Sequence, residues 1–216
     1  DELKGVDSGR LSIGVVSTVN YFAARLLAAF SRQHPKVEIR LDVTNRESLL
    51  QKLEANEPDL VLMGQPPNGL DVDAADFMDN PLLLVAAPDH RLAKSKRLEL
   101  NSLADETFVV REPGSGTRLA MERFFSDYDF KPKSTVEMTG NEVIKQAIEV
   151  GLGLSMLSSH TVELELSAGR LIRLDVVGMP IIRRWYVAHR SGKRLTPTAQ
   201  SFKQFVLDEG KRQSAR

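Results

Sequence analysis

Apolar and polar residues alternate with two different periods along the first part of the chain. Residues 10–16 have the pattern of an apolar strand, and residues 21–30 place apolar side chains at helical spacing. Apolar and charged residues then alternate over 37–43, which is typical of a half-buried strand, and 46–55 again has helical spacing. This order predicts strand, helix, strand and helix in succession.

Two short apolar runs extend this first pattern. The segments 59–63, which is apolar after Asp59, and 82–87 are short apolar runs with Pro and Gly nearby, as in strands that are covered on both faces. Strands that alternate with helices favour a mostly parallel sheet. The first part of the chain is therefore predicted to be an α/β unit.

The same pattern begins again after Pro88 and predicts a second α/β unit. In chain order the predicted elements are strand 107–111, helix 117–128, strand 135–138, helix 142–150, strand 152–157, helix 161–168 and strands 171–176 and 181–188. Gly151 and Gly169 are placed to end two of these helices, and Thr196 and Pro197 to begin a last one. We expect two Rossmann-like subdomains with a cleft between them.

Composition narrows the classes of protein to which the chain can belong. The 216 residues include 29 Lys and Arg and 29 Asp and Glu, so the formal net charge is zero. A protein that grips DNA alone usually carries a basic excess, which this chain lacks. The longest apolar run, 82–87, is far shorter than the roughly 20 residues of a membrane span, and the absence of cysteine excludes disulfides.

Polar residues follow several predicted strands at the points where helices begin, and ligands of such sheets bind beyond the carboxyl ends of the strands. Ser17 and Thr18 follow the first strand, and Asn45 and Arg46 follow the second. Free amides and the helix dipole at these positions favour an anion. The alternatives are that one of the residues 17–20 only caps its helix and that Glu47 pairs with Arg46.

The loop 112–118 provides the strongest candidate for an anion site. Its glycines allow backbone amides to face a ligand, and Gly116, Thr117 and Arg118 add an amide, a hydroxyl and a positive charge. It matches neither a P-loop nor a dinucleotide motif. The alternative is an ordinary glycine turn with a Thr cap, in which Arg118 is a surface residue.

Two further loops are weaker candidates. Gly140 and Asn141 precede the helix predicted at 142–150, where Asn141 is either a cap or a ligand donor, and Gln65 follows the third strand. The four histidines lie in no metal-binding spacing, and Ser115 lies in PGSGT rather than in the GxSxG of a hydrolase. The sequence therefore favours a binding protein without catalytic residues or a metal site.

Several segments resemble the effector-binding domain of LysR-type transcriptional regulators over residues 9–207. They are GRLSIG (9–14), PDLVLMG (58–64), PDHRLA (88–93) and VGLGLS (150–155). A second set is similar to the branch that regulates RuBisCO and other Calvin-cycle operons. It comprises FMDNP (77–81), REPGSGTR (111–118), NEVIKQA (141–147) and RWYVAHRSGKRL (184–195).

The resemblance implies a type II periplasmic-binding-protein-like fold. Residues 1–8 would be the end of a linker, 9–87 plus 189–216 the first subdomain, and 88–188 the second. It implies a cytoplasmic homodimer or homotetramer that binds operator DNA through an N-terminal domain outside this chain. The implied effector is a phosphorylated metabolite such as ribulose 1,5-bisphosphate or 2-phosphoglycolate, or NADPH, bound in the cleft.

Two other functions remain open at this point. A periplasmic solute-binding protein for a small anion would share the fold and could also lack cysteine. An enzyme on related lobes, such as a porphobilinogen deaminase, would need a cofactor cysteine or an acid–base pair, and neither is evident. A regulator that is not an enzyme is therefore the interpretation we prefer.

Overall fold

The computed structural model describes residues 8–214, and the predicted linker residues 1–7 lie outside this range. The chain forms two compact units. Unit 1 contains the residues up to Asp79 together with those from Arg184 onward, and unit 2 contains Asn80–Arg183. Both are α/β units, as the sequence predicts.

Unit 1 is built around a short parallel sheet. Its elements are β1 (Gly9–Val16), α1 (Asn20–Gln33), β2 (Val37–Thr44), α2 (Arg46–Glu54), β3 (Leu60–Gly64), the first part of β4 (Val72–Ala86), the last part of β9 (Ile181–Arg190) and α6 (Pro197–Ser214). Strand β1 pairs in parallel with β2 and β3, and β9 pairs antiparallel with β3. Helices α2 and α6 begin within one residue of the predicted positions.

Both faces of β3 are covered. Leu60 and Leu62 belong to the core that contains residues of α1 and α6, whereas Val61 and Met63 pack with leucines of α2. Successive residues of a strand face opposite sides, so a strand covered twice is apolar at every position. This confirms the interpretation of the apolar run within residues 59–63.

Unit 2 contains a separate core. Its elements are the rest of β4, β5 (Thr107–Arg111), α3 (Gly116–Asp127), β6 (Ser134–Met138), α4 (Asn141–Glu149), β7 (Ser155–Ser158), α5 (Ser159–Ser167), β8 (Ile172–Arg173) and the beginning of β9. Strands β5 and β6 are parallel, and β4 pairs antiparallel with β7 and β8. Phe108 is fully buried, with its ring centroid 5.1 Å from that of Phe125 and 5.7 Å from that of Phe130.

The largest difference from the sequence-based elements is at β4. The prediction that this strand begins at residue 82 is wrong, because β4 begins at Val72. Its first part is rich in Asp, which strands ordinarily disfavour. Arg184 pairs with Asp76 (2.6 Å) and with Asp79, and these ion pairs offset the acidic charge.

The chain passes between the units inside strands. It leaves unit 1 within β4, after Asp79, and returns within β9, at Arg184. The predicted boundaries, after residues 87 and 188, lie a few residues beyond the observed ones. An apolar pattern indicates a strand, but it does not indicate where along that strand the chain crosses from one unit to the other. Among the described residues, no helix has both the length and the apolar character needed to cross a membrane.

Candidate functional site

The start of α2 brings Arg46 and Gln65 together. The guanidinium Nη2 of Arg46 donates a hydrogen bond to the carbonyl of Gln65 at 2.7 Å, at the end of β3. A Cβ atom on Gly64 would lie 3.7 Å from the Nη1 of Arg46, which is ordinary van der Waals contact. The oxygen of Asn45 accepts the Ser48 N–H at 3.0 Å, so Asn45 is the cap of α2. Arg46 is the first residue of α2, and the first turn of this helix also contains the acidic Glu47.

The loop after β1 has a different local structure from the one that its sequence suggests. The Ser17 N–H donates to the carbonyl of Thr44 at 2.8 Å, and Thr18 is buried. The residue at the N-cap position of α1 is Val19, whose side chain has no oxygen and makes no capping hydrogen bond. The first turn of α1 contains no acidic residue.

The start of α3 is capped by Ser115, whose hydroxyl accepts the Arg118 N–H at 3.3 Å. The alternative of a Thr cap is therefore wrong. Gly116 and Thr117 are instead the first two residues of the helix, and the Thr117 side chain forms no hydrogen bond within residues 8–214. The first turn contains no acidic residue, so the hydroxyl of Thr117 stands where the dipole favours an anion.

Arg118 is neutralised within unit 2. It forms ion pairs with Glu122 at 2.8 Å and Glu137 at 2.6 Å and also donates to the Arg111 carbonyl at 3.0 Å. Hydrogen bonds to the two glutamates raise the pKa of Arg118. These contacts connect α3 to β5 and β6, which supports a structural role for this arginine.

Gly140 and Asn141 are joined to a buried arginine that our sequence analysis missed as a site residue. Arg111, at the end of β5, donates to the Asn141 oxygen at 2.7 Å and pairs with Glu112 at 2.7 Å. Glu112 also accepts the Gly140 N–H at 3.1 Å. Both Arg111 and Asn141 are buried, and Asn141 is the first residue of α4 rather than its cap.

The sequence contains one feature that could have identified Arg111 as a site residue. An Arg–Glu pair comes directly after an apolar strand and directly before a glycine loop. Burial by itself raises the pKa of Glu112, but hydrogen bonds from Arg111 and the Gly140 N–H outweigh it and hold that pKa below its ordinary value. The carboxylate is therefore ionised and matches the buried guanidinium. Through these contacts the pair connects the end of β5 to Gly140 and Asn141 at the start of α4.

The histidines form local contacts. The Nε2 of His90 lies 3.1 Å from Glu106, while its Nδ1 accepts the Leu92 N–H at 3.1 Å. His189 is buried, with its Nε2 3.1 Å from the amine of Lys203. In the described part of the chain, no group of His, Asp and Glu side chains has the arrangement of a metal site.

Comparisons with known proteins identify the family. The model of the LysR substrate binding domain matches residues 4–211. The chain is 55% identical, over its whole length and 72% of the relative, to the RuBisCO operon transcriptional regulator of Allochromatium vinosum. It is 48% identical to the HTH-type transcriptional regulator CbbR of Rhodospirillum rubrum, over 95% of this chain and 68% of that one.

Solved structures agree with this assignment. The regulatory domain of Synechocystis PCC6803 CcmR in complex with 2-PG matches with a TM-score of 0.91 and 40% identity, over 94% of this chain and 98% of that one. The effector binding domain of QuiR in complex with shikimate, at 20% identity and a TM-score of 0.84 over 95% and 98% of the two chains, shows the same fold. The type II periplasmic-binding-protein-like fold is thereby confirmed. The chain belongs to the LysR substrate-binding domain family.

Proposed function

We propose that this chain is the sensing part of a transcription regulator of carbon-fixation genes and that it binds a small phosphorylated metabolite. The observation that carries the proposal is Arg46, a cation held by the Gln65 carbonyl at the start of α2. An anion bound at a helix N-terminus offsets the unfavourable interaction of a positive side chain with the helix dipole. A phosphate group would be attracted by both the arginine and the helix amides.

The other helix starts support the same ligand chemistry. Thr117 offers a hydroxyl in the first turn of α3, and Gly140 places a flexible backbone position, with a φ of +91°, at the start of α4. Ser17 and Thr18 precede α1, whose first turn has no acidic residue. That loops of both units contact one effector stays a prediction of the sequence.

The names of the relatives suggest which effector to test first. The relatives from Allochromatium vinosum and Rhodospirillum rubrum are a RuBisCO operon regulator and CbbR, and CcmR was solved in complex with 2-PG. We therefore propose 2-phosphoglycolate as the first probe and ribulose 1,5-bisphosphate as the second. NADPH remains a third candidate, because its phosphates offer the same chemistry.

The proposed assembly follows from the family. The regulator would be a cytoplasmic homodimer or homotetramer, and a DNA-binding domain outside this chain would contact the operator. The alternative of a periplasmic solute-binding protein is less well supported, because the relatives named above are transcription regulators. An enzyme is disfavoured for the same reason.

Calorimetric titration tests the proposed ligand. The purified chain is titrated with 2-phosphoglycolate, ribulose 1,5-bisphosphate and NADPH, with glycolate and an uncharged sugar as controls. We expect saturable binding of at least one phosphorylated compound and at least tenfold weaker binding of both controls, as expected when a charge-assisted hydrogen bond is lost. Equal affinity for the uncharged sugar would contradict the proposal.

A further inference from the structure

Arg183 is a cation without a counter-charge in unit 2. It lies in β9, is partly buried, and its described hydrogen bond is a long contact of 3.5 Å from Nη1 to the carbonyl of Gly116. Within residues 8–214 no carboxylate lies at ion-pair distance from its guanidinium. A neutral carbonyl at this distance replaces little of the water that the guanidinium has lost.

The other arginines around the start of α3 are compensated. Arg111 pairs with Glu112 at 2.7 Å, and Arg118 pairs with Glu137 at 2.6 Å. Arg183 has a positive neighbour instead: Arg123, two helical turns after Gly116 and so on the same side of α3. Burial and the charge of Arg123 together lower the pKa of Arg183. Within residues 8–214, neither Arg123 nor Arg183 has a carboxylate at ion-pair distance.

The chemistry around Arg183 selects the kind of anion. Its guanidinium lies beside the first turn of α3, where Thr117 has an unbonded hydroxyl and the dipole is positive. A phosphate offers several oxygens and two negative charges, so it can accept both hydrogens of the guanidinium fork and offset Arg123 as well. A monocarboxylate carries one charge and leaves the second arginine uncompensated.

We propose that Arg183 binds the phosphate group of the effector beside the first turn of α3. This inference rests on the proposed function and deepens it, since it names a phosphate-binding arginine that lies outside the helix-start loops. It also separates the arginines by role. Arg111 and Arg118 hold the framework of unit 2, and Arg183 provides the charge for the ligand.

The first measurement is calorimetry on wild type, Arg183→Gln and Arg183→Lys, with 2-phosphoglycolate and glycolate as probes. We expect Arg183→Gln to weaken 2-phosphoglycolate binding about tenfold or more, with a smaller effect on glycolate and an intermediate one for Arg183→Lys. Arg170→Gln is the matched control, because Arg170 is ion-paired with Glu149 on the surface of the same unit. It should bind as wild type does.

The second measurement is the melting temperature with and without inorganic phosphate. Without ligand, Arg183→Gln should melt no lower than wild type, because the substitution removes a partly buried charge that has no partner. Inorganic phosphate should raise the melting temperature of wild type more than that of Arg183→Gln. If Arg183 served only to support the fold, the opposite would be seen: a lower melting temperature and an unchanged preference for phosphate over glycolate.

The outcomes separate this inference from the proposed function. If wild type binds 2-phosphoglycolate and Arg183→Gln binds it equally well, the inference is overturned while the function stands. If wild type binds no phosphorylated metabolite, the proposed function fails, and equal stabilisation of both proteins by inorganic phosphate would then overturn the inference as well. Should Arg183→Gln fail to fold, Arg183→Lys carries the same comparisons.

Discussion

Arg111 donates a hydrogen bond from Nη1 to the Oδ1 of Asn141 at 2.7 Å, and both side chains are buried, at 4% and 5% exposure. The contact joins the last residue of β5 to the first residue of α4. Through Glu112, which bonds to both Arg111 and the Gly140 N–H, the same arginine also fixes the loop before α4. Two loops that are thirty positions apart in sequence thus share one buried cation.

Removing this cation should destabilise unit 2. Arg111→Met leaves the carboxylate of Glu112 and the oxygen of Asn141 without their donor, and breaking a buried pair on one side typically costs about 3–5 kcal/mol. We expect a loss of about 3 kcal/mol in the free energy of unfolding, measured by urea denaturation. Arg170→Gln, which removes an exposed ion pair, should cost much less, because solvent screens such pairs. Equal effects of the two substitutions would contradict the structural role of Arg111.

The Arg111–Glu112 pair also predicts acid sensitivity. Because the pKa of Glu112 in the folded chain is held below its value in the unfolded chain, the stabilisation is fully present above the unfolded pKa and is lost as the pH falls through the folded pKa. Glu112→Gln should therefore be less stable at pH 7 and should lose less further stability between pH 5 and pH 3. Urea denaturation across this range measures the difference, with Glu57→Gln, an exposed position, as the control. If the free energy of unfolding fell more steeply with decreasing pH in Glu112→Gln than in wild type, another group would be responsible for the acid sensitivity.

Substitutions at two helix starts should weaken effector binding without unfolding the chain. Arg46→Ala removes a charge beside α2, and we expect a loss of about 1.5–3 kcal/mol in the binding of a phosphorylated probe. Thr117→Val removes only a hydroxyl from α3 and should cost about 0.5–1.5 kcal/mol. Calorimetry with 2-phosphoglycolate gives both values, and circular dichroism checks the fold. Unchanged affinity of Arg46→Ala would remove this loop from the site.

The chain alone should not bind duplex DNA tightly. Its 29 basic and 29 acidic residues cancel, so it lacks the excess charge that neutralises phosphates. We expect no retardation of operator DNA in a gel at about physiological salt. Specific retardation by this chain without its DNA-binding partner domain would contradict the expectation.

Self-association is expected through α1. This helix is apolar on more than one face: Phe22 and Leu26 are in the core of unit 1, whereas Ala24 and Ala28 are exposed one turn apart. Sedimentation at a protein concentration of tens of micromolar should show a dimer or larger species, because this concentration exceeds a dissociation constant in the roughly micromolar range. Ala24→Glu with Ala28→Glu should shift the protein toward monomer. A monomeric wild type would count against the prediction.

Local patterns predicted most elements because each pattern has a direct physical cause. The apolar run of β3 reflects burial on both faces, and Gly151, with a φ of +85°, ends α4 where an L side chain would be strained. The beginning of β4 escaped prediction, because its aspartates are tolerated only where Arg184, about a hundred positions away in sequence, pairs with two of them. Long-range ion pairs leave no local pattern.

In the candidate site, too, local patterns were predicted and long-range contacts were not. The sequence predicted helix starts at residues 46, 117 and 142, each within one residue of the observed start, because glycine, hydroxyl and amide residues after a strand have known uses there. The sequence did not show which arginines have a carboxylate partner in the folded chain and which do not. Arg118 was chosen because it lies in the loop, yet Glu122 and Glu137 neutralise it, whereas Arg183 was overlooked because it lies within a strand.

By itself, the sequence determined the α/β class, the order of the elements, the resemblance to LysR effector domains and the absence of net charge. These properties depend only on the periodicity of apolar residues, the composition and the local backbone preferences of the sequence. Only the tertiary structure decided which charged side chains have a partner of opposite charge within the described chain and which do not. A charge is compensated by whatever lies within a few ångströms of it, and for Arg111 and Asn141 that neighbour is thirty positions away in the sequence.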